Sequence, residues 1–188
     1  MSEIYRARRN PRESFVEVRG LRHRLLAWGP TEAPPRLLLH GFMDCSDTYQ
    51  SLVDALPDDW HCIAPDWRGF GGSAQTGMPY WFADYLADLD ALLDSLSLAE
   101  PVRLVGHSMG AMVALQAWTQ KPERIRGLLL AASSPAFGHS DGDFQKQFLA
   151  QRLAPLEAGK NMGDIADKLI PTMDEWEVFP REAVAVGQ

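Results

Sequence analysis

The strongest sign of a catalytic residue in this sequence is a serine that lies between two glycines. The stretch RLVGHSMGAMVAL, residues 103–115, is a short apolar run, then Gly-His-Ser-Met-Gly, then residues with helical spacing. A strand that turns sharply into a helix brings backbones close together, so Gly106 and Gly110 stand where side chains would clash. The pattern predicts an elbow that projects the hydroxyl of Ser108 as a nucleophile. The alternative is a plain turn.

A His-Gly pair after an earlier apolar run supplies a second part of such a site. Attack on a carbonyl creates an oxyanion that needs two N–H donors, one after the nucleophile and one from a neighbouring loop. In this sequence the natural donors are the backbone amides of Met109 and Phe42. Gly41 would let the loop that carries Phe42 approach the elbow closely.

A glycine-rich loop follows the next apolar run, and its pattern favours a structural role. Residues 65–73, PDWRGFGGS, contain three glycines and the opposite charges Asp66 and Arg68. The loop matches neither phosphate-binding fingerprint, since it has no Lys-Ser/Thr ending and no G-x-G-x-x-G. We expect a tight loop with internal hydrogen bonds in which Asp66 and Arg68 form a pair.

Strand patterns precede each of these motifs. Alternating apolar residues at 14–19 and 22–28 predict an antiparallel hairpin around the turn-forming Gly20. Continuous apolar runs fit strands that are covered on both faces, as in a parallel sheet. Such runs lie at residues 36–40, 61–64, 102–105 and 128–132.

Helical patterns separate the strands. Between residues 84 and 98 the apolar positions recur every three or four residues, which predicts a helix with one buried face. Its aspartates, Asp84, Asp88, Asp90 and Asp94, fall mostly on the opposite side. A second helix begins at the elbow and ends at Lys121-Pro122. Strands alternating with helices predict an α/β fold with a mostly parallel, doubly wound sheet.

The last third of the chain has a different pattern. Two short helices are predicted over residues 144–156 and 162–170, with no strand between them. We therefore expect residues 1–137 to form the core and residues 138–188 to form a helical cap segment.

Composition limits the class of protein. The chain has 188 residues, 46% hydrophobic, and a net charge of −7, so nothing draws it electrostatically to nucleic acid or to an anionic membrane. No secretory segment and no apolar run of about 20 residues is visible, so we expect a cytoplasmic protein with no membrane partner. Cys45 and Cys62 form neither a C-x-x-C pair nor a disulfide framework, and no metal is expected.

The motifs His40-Gly-Phe42, Asp66-x-Arg-Gly-x-Gly-x-Ser73 and Gly106-His-Ser-Met-Gly110, in this order and spacing, resemble the serine-dependent α/β-hydrolase superfamily. The likeness covers roughly residues 14–137, and residues 148–160 are similar to the helical cap of esterase-like and enol-lactonase-like members. The resemblance implies a hydrolase of carboxylic esters or related acyl bonds, with Ser108 as nucleophile, a small-molecule acyl substrate, no cofactor and no metal. Dehalogenases and epoxide hydrolases of the superfamily have aspartate at the elbow, so Ser108 argues against these two branches. Homo-oligomers stay possible.

The sequence departs from the superfamily order of nucleophile, acid and histidine. After Ser108 the only histidine is His139, and the only acid between them is Glu123. Glu123 precedes the strand at 128–132, which places it about 16 Å from the elbow edge at roughly 3.3 Å per residue, too far to orient a base. Asp141 or Asp143 could orient His139 only in reversed order.

We therefore expect the acid, the base and the C-terminal strands of the superfamily to lie beyond residue 188. The other four histidines, His23, His40, His61 and His107, are expected to be structural. Two alternatives remain for the function. One is a catalytically silent binding module, and the other is a cofactor-free lyase or perhydrolase that uses the same site.

Overall fold

A computed structural model of the chain describes residues 5–98 and 100–133, and then residues 143, 146–147, 150, 154 and 157–160. In the first two ranges the strands are β1 (Arg12–Val18), β2 (Leu21–Trp28), β3 (Pro35–Leu39), β4 (His61–Pro65), β5 (Val102–His107) and β6 (Ile125–Ala131). The α-helices there are α1 (Gln50–Ala55), α2 (Phe82–Ser95) and α3 (Met109–Gln120). Short 3₁₀ turns at Ser46–Tyr49 and Pro122–Arg124 precede α1 and β6.

The strands form one sheet in the order β1-β2-β4-β3-β5-β6. β1 and β2 are the predicted antiparallel hairpin, whose turn places Arg19 and Gly20 at φ values of 50° and 74°. β2 is antiparallel to β4, whereas β4, β3, β5 and β6 run parallel to one another. The mostly parallel sheet is confirmed, and β1 and β6 are its edge strands within the described residues.

Helices cover both faces of this sheet. Along β3 the side chains alternate, so that Leu37 and Leu39 pack in the core beneath α2 and α3, while Leu38 packs with Val53 of α1 on the other side. All three leucines are at most 1% exposed. The doubly wound arrangement predicted from continuous apolar runs is therefore confirmed.

The observed elements differ from the predicted ones at two places. β6 begins at Ile125 rather than at residue 128, because Arg126 and Gly127 interrupt the apolar run without ending the strand. Helix α1 was not predicted at all. Its six residues include one buried side chain, Val53, which is too few to show a helical period.

The prediction that Asp66 and Arg68 form a pair within the glycine-rich loop is wrong. Arg68 instead donates to Asp88 of α2 through Nε at 2.5 Å and Nη2 at 2.6 Å, and Asp88 is only 2% exposed. The carboxylate of Asp66 accepts the amides of Ser46 and Gly72, so the expected internal hydrogen bonds of the loop are present. The helical pattern predicts that the aspartates of α2 lie mostly on the side away from the core, and the buried Arg68 partner explains why Asp88 does not.

Most of the remaining described positions are helical. The helical ones are Asp143, Lys146, Gln147, Ala150, Ala154 and Glu157, which fall in or beside the first predicted cap helix, and a turn at residues 158–159 follows them. The second predicted cap helix and the boundary at residues 137 and 138 lie outside the described residues. Among the helices that the structure describes, none combines the length and apolar character needed to cross a bilayer.

Candidate active site

The serine predicted as nucleophile occupies a strained turn between β5 and α3. Ser108 has φ 52° and ψ −116°, a conformation that L-residues rarely adopt. Its amide donates to the carbonyl of Ala131 in β6 at 2.9 Å, and its carbonyl accepts the amides of Ala111 and Met112 at 3.0 and 3.2 Å. Hydrogen bonds on both sides therefore hold the turn at the carboxyl end of β5.

The two glycines flanking the serine have the steric role that the spacing predicts. A Cβ on Gly106 would lie 2.4 Å from the Cα of Ala111. On Gly110 it would lie 2.0 Å from the carbonyl oxygen of Leu39 in β3. Both distances are far below van der Waals contact and involve backbone atoms, so any side chain at either position would displace the helix or the neighbouring strand.

The loop after β3 lies directly against this elbow. A Cβ built on Gly41 would lie 3.3 Å from the Cβ of Ser108 and 3.1 Å from Nδ1 of His107. The structure thus brings together the two segments that carry Phe42 and Met109. The assignment of these two amides as oxyanion donors remains a prediction.

A buried histidine fixes the loop that carries Phe42. Nε2 of His40 accepts the amide of Trp67 at 3.0 Å, which leaves the proton on Nδ1 to be donated to the carbonyl of Gly41 at 2.8 Å. The indole of Trp67 in turn donates to the carbonyl of His40 at 2.9 Å. Burial lowers the pKa of His40, so the neutral ring that these bonds require is favoured. His40 is structural, as expected.

The other described histidines do not act on the serine. His23 is buried, with Nδ1 3.2 Å from the carbonyl oxygen of Asp66, and burial lowers its pKa. His61 is buried in β4, and His107 is exposed beside the loop after β3. Within residues 5–98 and 100–133, no histidine hydrogen-bonds to Oγ of Ser108.

The structure describes some of the residues predicted as candidate base or acid and not others. Glu123 lies in the turn before β6, at the end of the strand away from the elbow, so its exclusion agrees with the topology. His139 and Asp141 lie outside the described residues, and Asp143 is described only as an exposed helical position. The structure therefore leaves the partner of Ser108 unassigned.

Possible metal ligands and an apolar cavity are the other features to compare with the elbow. In the described part of the chain, no three His, Cys, Asp or Glu side chains are grouped as metal ligands. A cavity of about 400 Å³ lies between α2 and α3 and is lined by residues such as Leu86, Leu93 and Ala117. Ser108 is not among its lining residues, so this groove belongs to the helix layer.

Comparison with known proteins gives consistent results. The sequence model of the family described as "alpha/beta hydrolase fold" matches residues 34–169. A serine hydrolase-like protein of Danio rerio is 37% identical over 105 residues, which are 55% of this chain and 32% of that protein. Epoxide hydrolase A of Mycobacterium tuberculosis is 36% identical over 129 residues, 67% of this chain and 39% of that protein.

Solved structures give the same result. The crystal structure of epoxide hydrolase A from Mycobacterium thermoresistibile superposes with a TM-score of 0.62 at 33% sequence identity, covering 75% of this chain and 44% of that one. The matched region spans about a third of the length of the curated relatives. Since the family match covers well over half of the sequence and includes the strained serine elbow, this chain belongs to the α/β-hydrolase fold family.

Proposed function

We propose that the chain carries the nucleophile and the oxyanion-binding part of a hydrolase that cleaves carboxylic esters or related acyl bonds. One observation carries the proposal. Ser108 sits in a strained turn at the carboxyl end of β5, and the Gly41 loop approaches it so closely that a Cβ added to Gly41 would lie 3.3 Å from the Cβ of Ser108. Strain of this kind persists where function requires it, because a relaxed turn would be more stable.

The reaction follows from these two segments. Oγ of Ser108 would attack the acyl carbon and lose its proton to a base, while the carbonyl oxygen becomes an oxyanion bound by the amides of Phe42 and Met109. The leaving alcohol takes up the proton as its bond to the acyl carbon breaks, and water then releases the acid from Ser108. The amino end of α3 adds positive potential at the oxyanion.

The residue at the elbow also favours acyl transfer over the chemistry named for some relatives. Epoxide hydrolases and haloalkane dehalogenases are among the proteins that this chain matches. In those branches of the family an aspartate stands at the elbow, and this chain has Ser108. Relatives named serine hydrolase-like proteins, from Danio rerio and Homo sapiens, are consistent with a serine mechanism.

A catalytically silent binding module is the alternative function. It is favoured by the observation that no histidine within the described residues contacts Oγ of Ser108. A serine hydroxyl without a base is a weak nucleophile at neutral pH. The two functions therefore differ in one property, which is the reactivity of Ser108.

Reactivity can be measured directly. The purified chain and a form extended by any downstream in-frame sequence would be treated with a fluorophosphonate probe and assayed on an activated short-chain ester. We expect labelling and turnover in at least one form, and both should be lost in Ser108→Ala but kept in Ser14→Ala, which changes an exposed serine in β1. Two folded forms that neither label nor turn over would establish the silent module.

A further inference from the structure

A buried histidine of β2 has no part in the chemistry proposed for Ser108. His23 is 2% exposed, and its ring lies between the loop after β4 and helix α2. Its Nδ1 is 3.2 Å from the carbonyl oxygen of Asp66, and its Nε2 is 3.6 Å from Oδ2 of the buried Asp88. Both ring nitrogens of His23 therefore face an acceptor in the interior of the fold.

A neutral ring cannot satisfy both of these acceptors. Neutral imidazole carries a single N–H, and the shorter distance favours donation from Nδ1 to the carbonyl of Asp66. That tautomer leaves a lone pair on Nε2, which faces the carboxylate of Asp88. Only the imidazolium has a proton for each acceptor. The geometry at His23 thus provides a site for one additional proton.

Burial and nearby arginines oppose the uptake of that proton at neutral pH. Burial lowers the pKa of His23 more than the Asp88 carboxylate raises it. Arg68 and Arg19 both donate to this carboxylate, and both also lie within 3.6 Å of a carboxylate oxygen of Asp84. Two arginines and two aspartates balance while the ring is neutral. We therefore expect His23 to be neutral near pH 7 and to take up its proton in more acidic solution.

The side chain of Asp66 is a further charged group near the ring. Its carboxylate accepts the amides of Ser46 and Gly72 and lies 3.4 Å from Nη1 of Arg24. Because these donors already compensate the Asp66 charge, protonation of His23 acts mainly on Asp88.

Protonation changes how the carboxylate of Asp88 is shared. With a proton on Nε2, the ring of His23 becomes a charged donor to Oδ2, the oxygen that also accepts Nε of Arg68. The imidazolium and the guanidinium then compete for one acceptor. Nη1 of Arg68 lies 3.2 Å from Oδ1 of Asp84, which is nearer the surface, so the guanidinium can move toward Asp84 and keep a charged partner.

Arg68 belongs to the glycine-rich loop, which lies beside the serine. The amides of Gly69 and Phe70 close this loop by donating to carbonyls within residues 67–74, at 3.0 Å each. The ring of Phe70 meets Phe42 with centroids 5.8 Å apart, and Phe42 follows the glycine that lies against the elbow. A movement of Arg68 can therefore reach the loop that carries one predicted oxyanion donor.

We propose that His23 is a proton-operated switch, in which protonation transfers Asp88 from Arg68 to the imidazolium and loosens the glycine-rich loop. At neutral pH the ring is neutral, Arg68 holds Asp88, and the loop is closed. In acidic solution the protonated ring takes a share of the carboxylate, and the loop opens more often. Histidine suits this role because its charge changes close to physiological pH.

Nitrogen NMR of the histidine rings in the full chain tests the proton site directly. At pH 8 we expect the Nδ1–H tautomer of His23. On acidification the ring should become protonated with a midpoint below 6.5, the ordinary pKa of histidine. This measurement requires no substitution. The proposal is overturned if the ring carries its proton on Nε2 at pH 8, or if it stays neutral down to the pH at which the chain unfolds.

Amide hydrogen exchange tests whether protonation reaches the loop. After correction for the chemical exchange rate at each pH, the protection of the Gly69 and Phe70 amides should fall about tenfold as His23 becomes protonated, the factor that one hydrogen bond to a charged group is worth. In His23→Gln, whose side chain does not titrate, their protection should stay constant over the same range. Constant protection in the unchanged protein would also overturn the proposal.

Two other buried histidines supply matched controls. His61→Gln changes a histidine of β4 that lies outside this network, so the loss of protection should persist. His40→Gln tests the rival explanation, because Nε2 of His40 accepts the amide of Trp67, directly before Arg68. If the loss of protection disappears in His40→Gln and persists in His23→Gln, His40 is the responsible group and the proposal fails.

Discussion

Replacing Ser108 by glycine should stabilise the protein relative to replacing it by alanine. Both substitutions remove the hydroxyl, and they differ only in the Cβ atom. With φ at 52° and ψ at −116°, that atom is the source of the backbone strain. The comparison therefore measures strain at the elbow without any contribution from catalysis.

The size of the effect can be estimated from two opposing contributions. A residue held in such a sparsely populated region costs about 1–3 kcal/mol, which glycine would recover. Glycine also gains freedom in the unfolded chain, which costs about 0.5–1 kcal/mol relative to alanine. We expect Ser108→Gly to exceed Ser108→Ala in the free energy of unfolding by about 0.5–2 kcal/mol.

Urea denaturation followed by circular dichroism would measure this difference. The matched control is Ser51, which is exposed within α1 and where the same pair of substitutions should give the opposite sign. There alanine should be more stable than glycine by about 0.5–1 kcal/mol. If alanine is at least as stable as glycine at position 108 too, the elbow is unstrained and the argument from strain to function fails.

The remaining predictions concern the residues that support the site. In a catalytically active form, Gly41→Val should lower kcat by about 100-fold or more, because the loop must move away from the elbow, and near-normal turnover in a folded variant would contradict that role. Asp88→Ala removes the two hydrogen bonds from Arg68 to a buried carboxylate and leaves Asp84, with 3.2 Å between Nη1 and Oδ1, as the remaining acidic partner among the described residues. The change should cost about 3 kcal/mol in urea denaturation, whereas a loss below about 1 kcal/mol would show that the Arg68 charge is hydrated. The free energy of unfolding should fall as pH drops through 6.5, the ordinary pKa of histidine, because the fold favours neutral His40 while the unfolded chain takes up a proton. His40→Gln, whose amide oxygen can still accept the amide of Trp67, should lose less stability over the same pH range. An equal loss would exclude this histidine as the cause.

Local rules explain why much of the fold was predictable from the sequence. Continuous apolar runs mark strands with helices on both faces, and glycines two positions on either side of Ser108 mark a backbone with no space for side chains. In both cases the physical cause lies within a few residues of the observed effect. The distances at Gly106 and Gly110 show that the inference was sound on steric grounds.

Features decided by distant partners were not predictable in the same way. Asp88 follows a helical pattern that places it toward solvent, and the approach of two distant arginines, Arg68 and Arg19, makes its burial possible. The nearer candidate, Asp66, is instead satisfied by backbone amides. Helix α1 is too short for its periodicity to stand out. The base that would serve Ser108 depends on residues outside the described part of the chain.

The hydrogen bond from the Ser108 amide to Ala131 ties the nucleophile to β6, an edge strand of the sheet within the described residues. Edge strands open locally more often than central ones, and amide hydrogen exchange reports each such opening. The amide of Ser108 should therefore exchange with the kinetics of β6, even though Ser108 directly follows β5. Any binding event that reduces the local opening of β6 would therefore also restrict the motion of the Ser108 hydroxyl, even if the ligand does not contact the site.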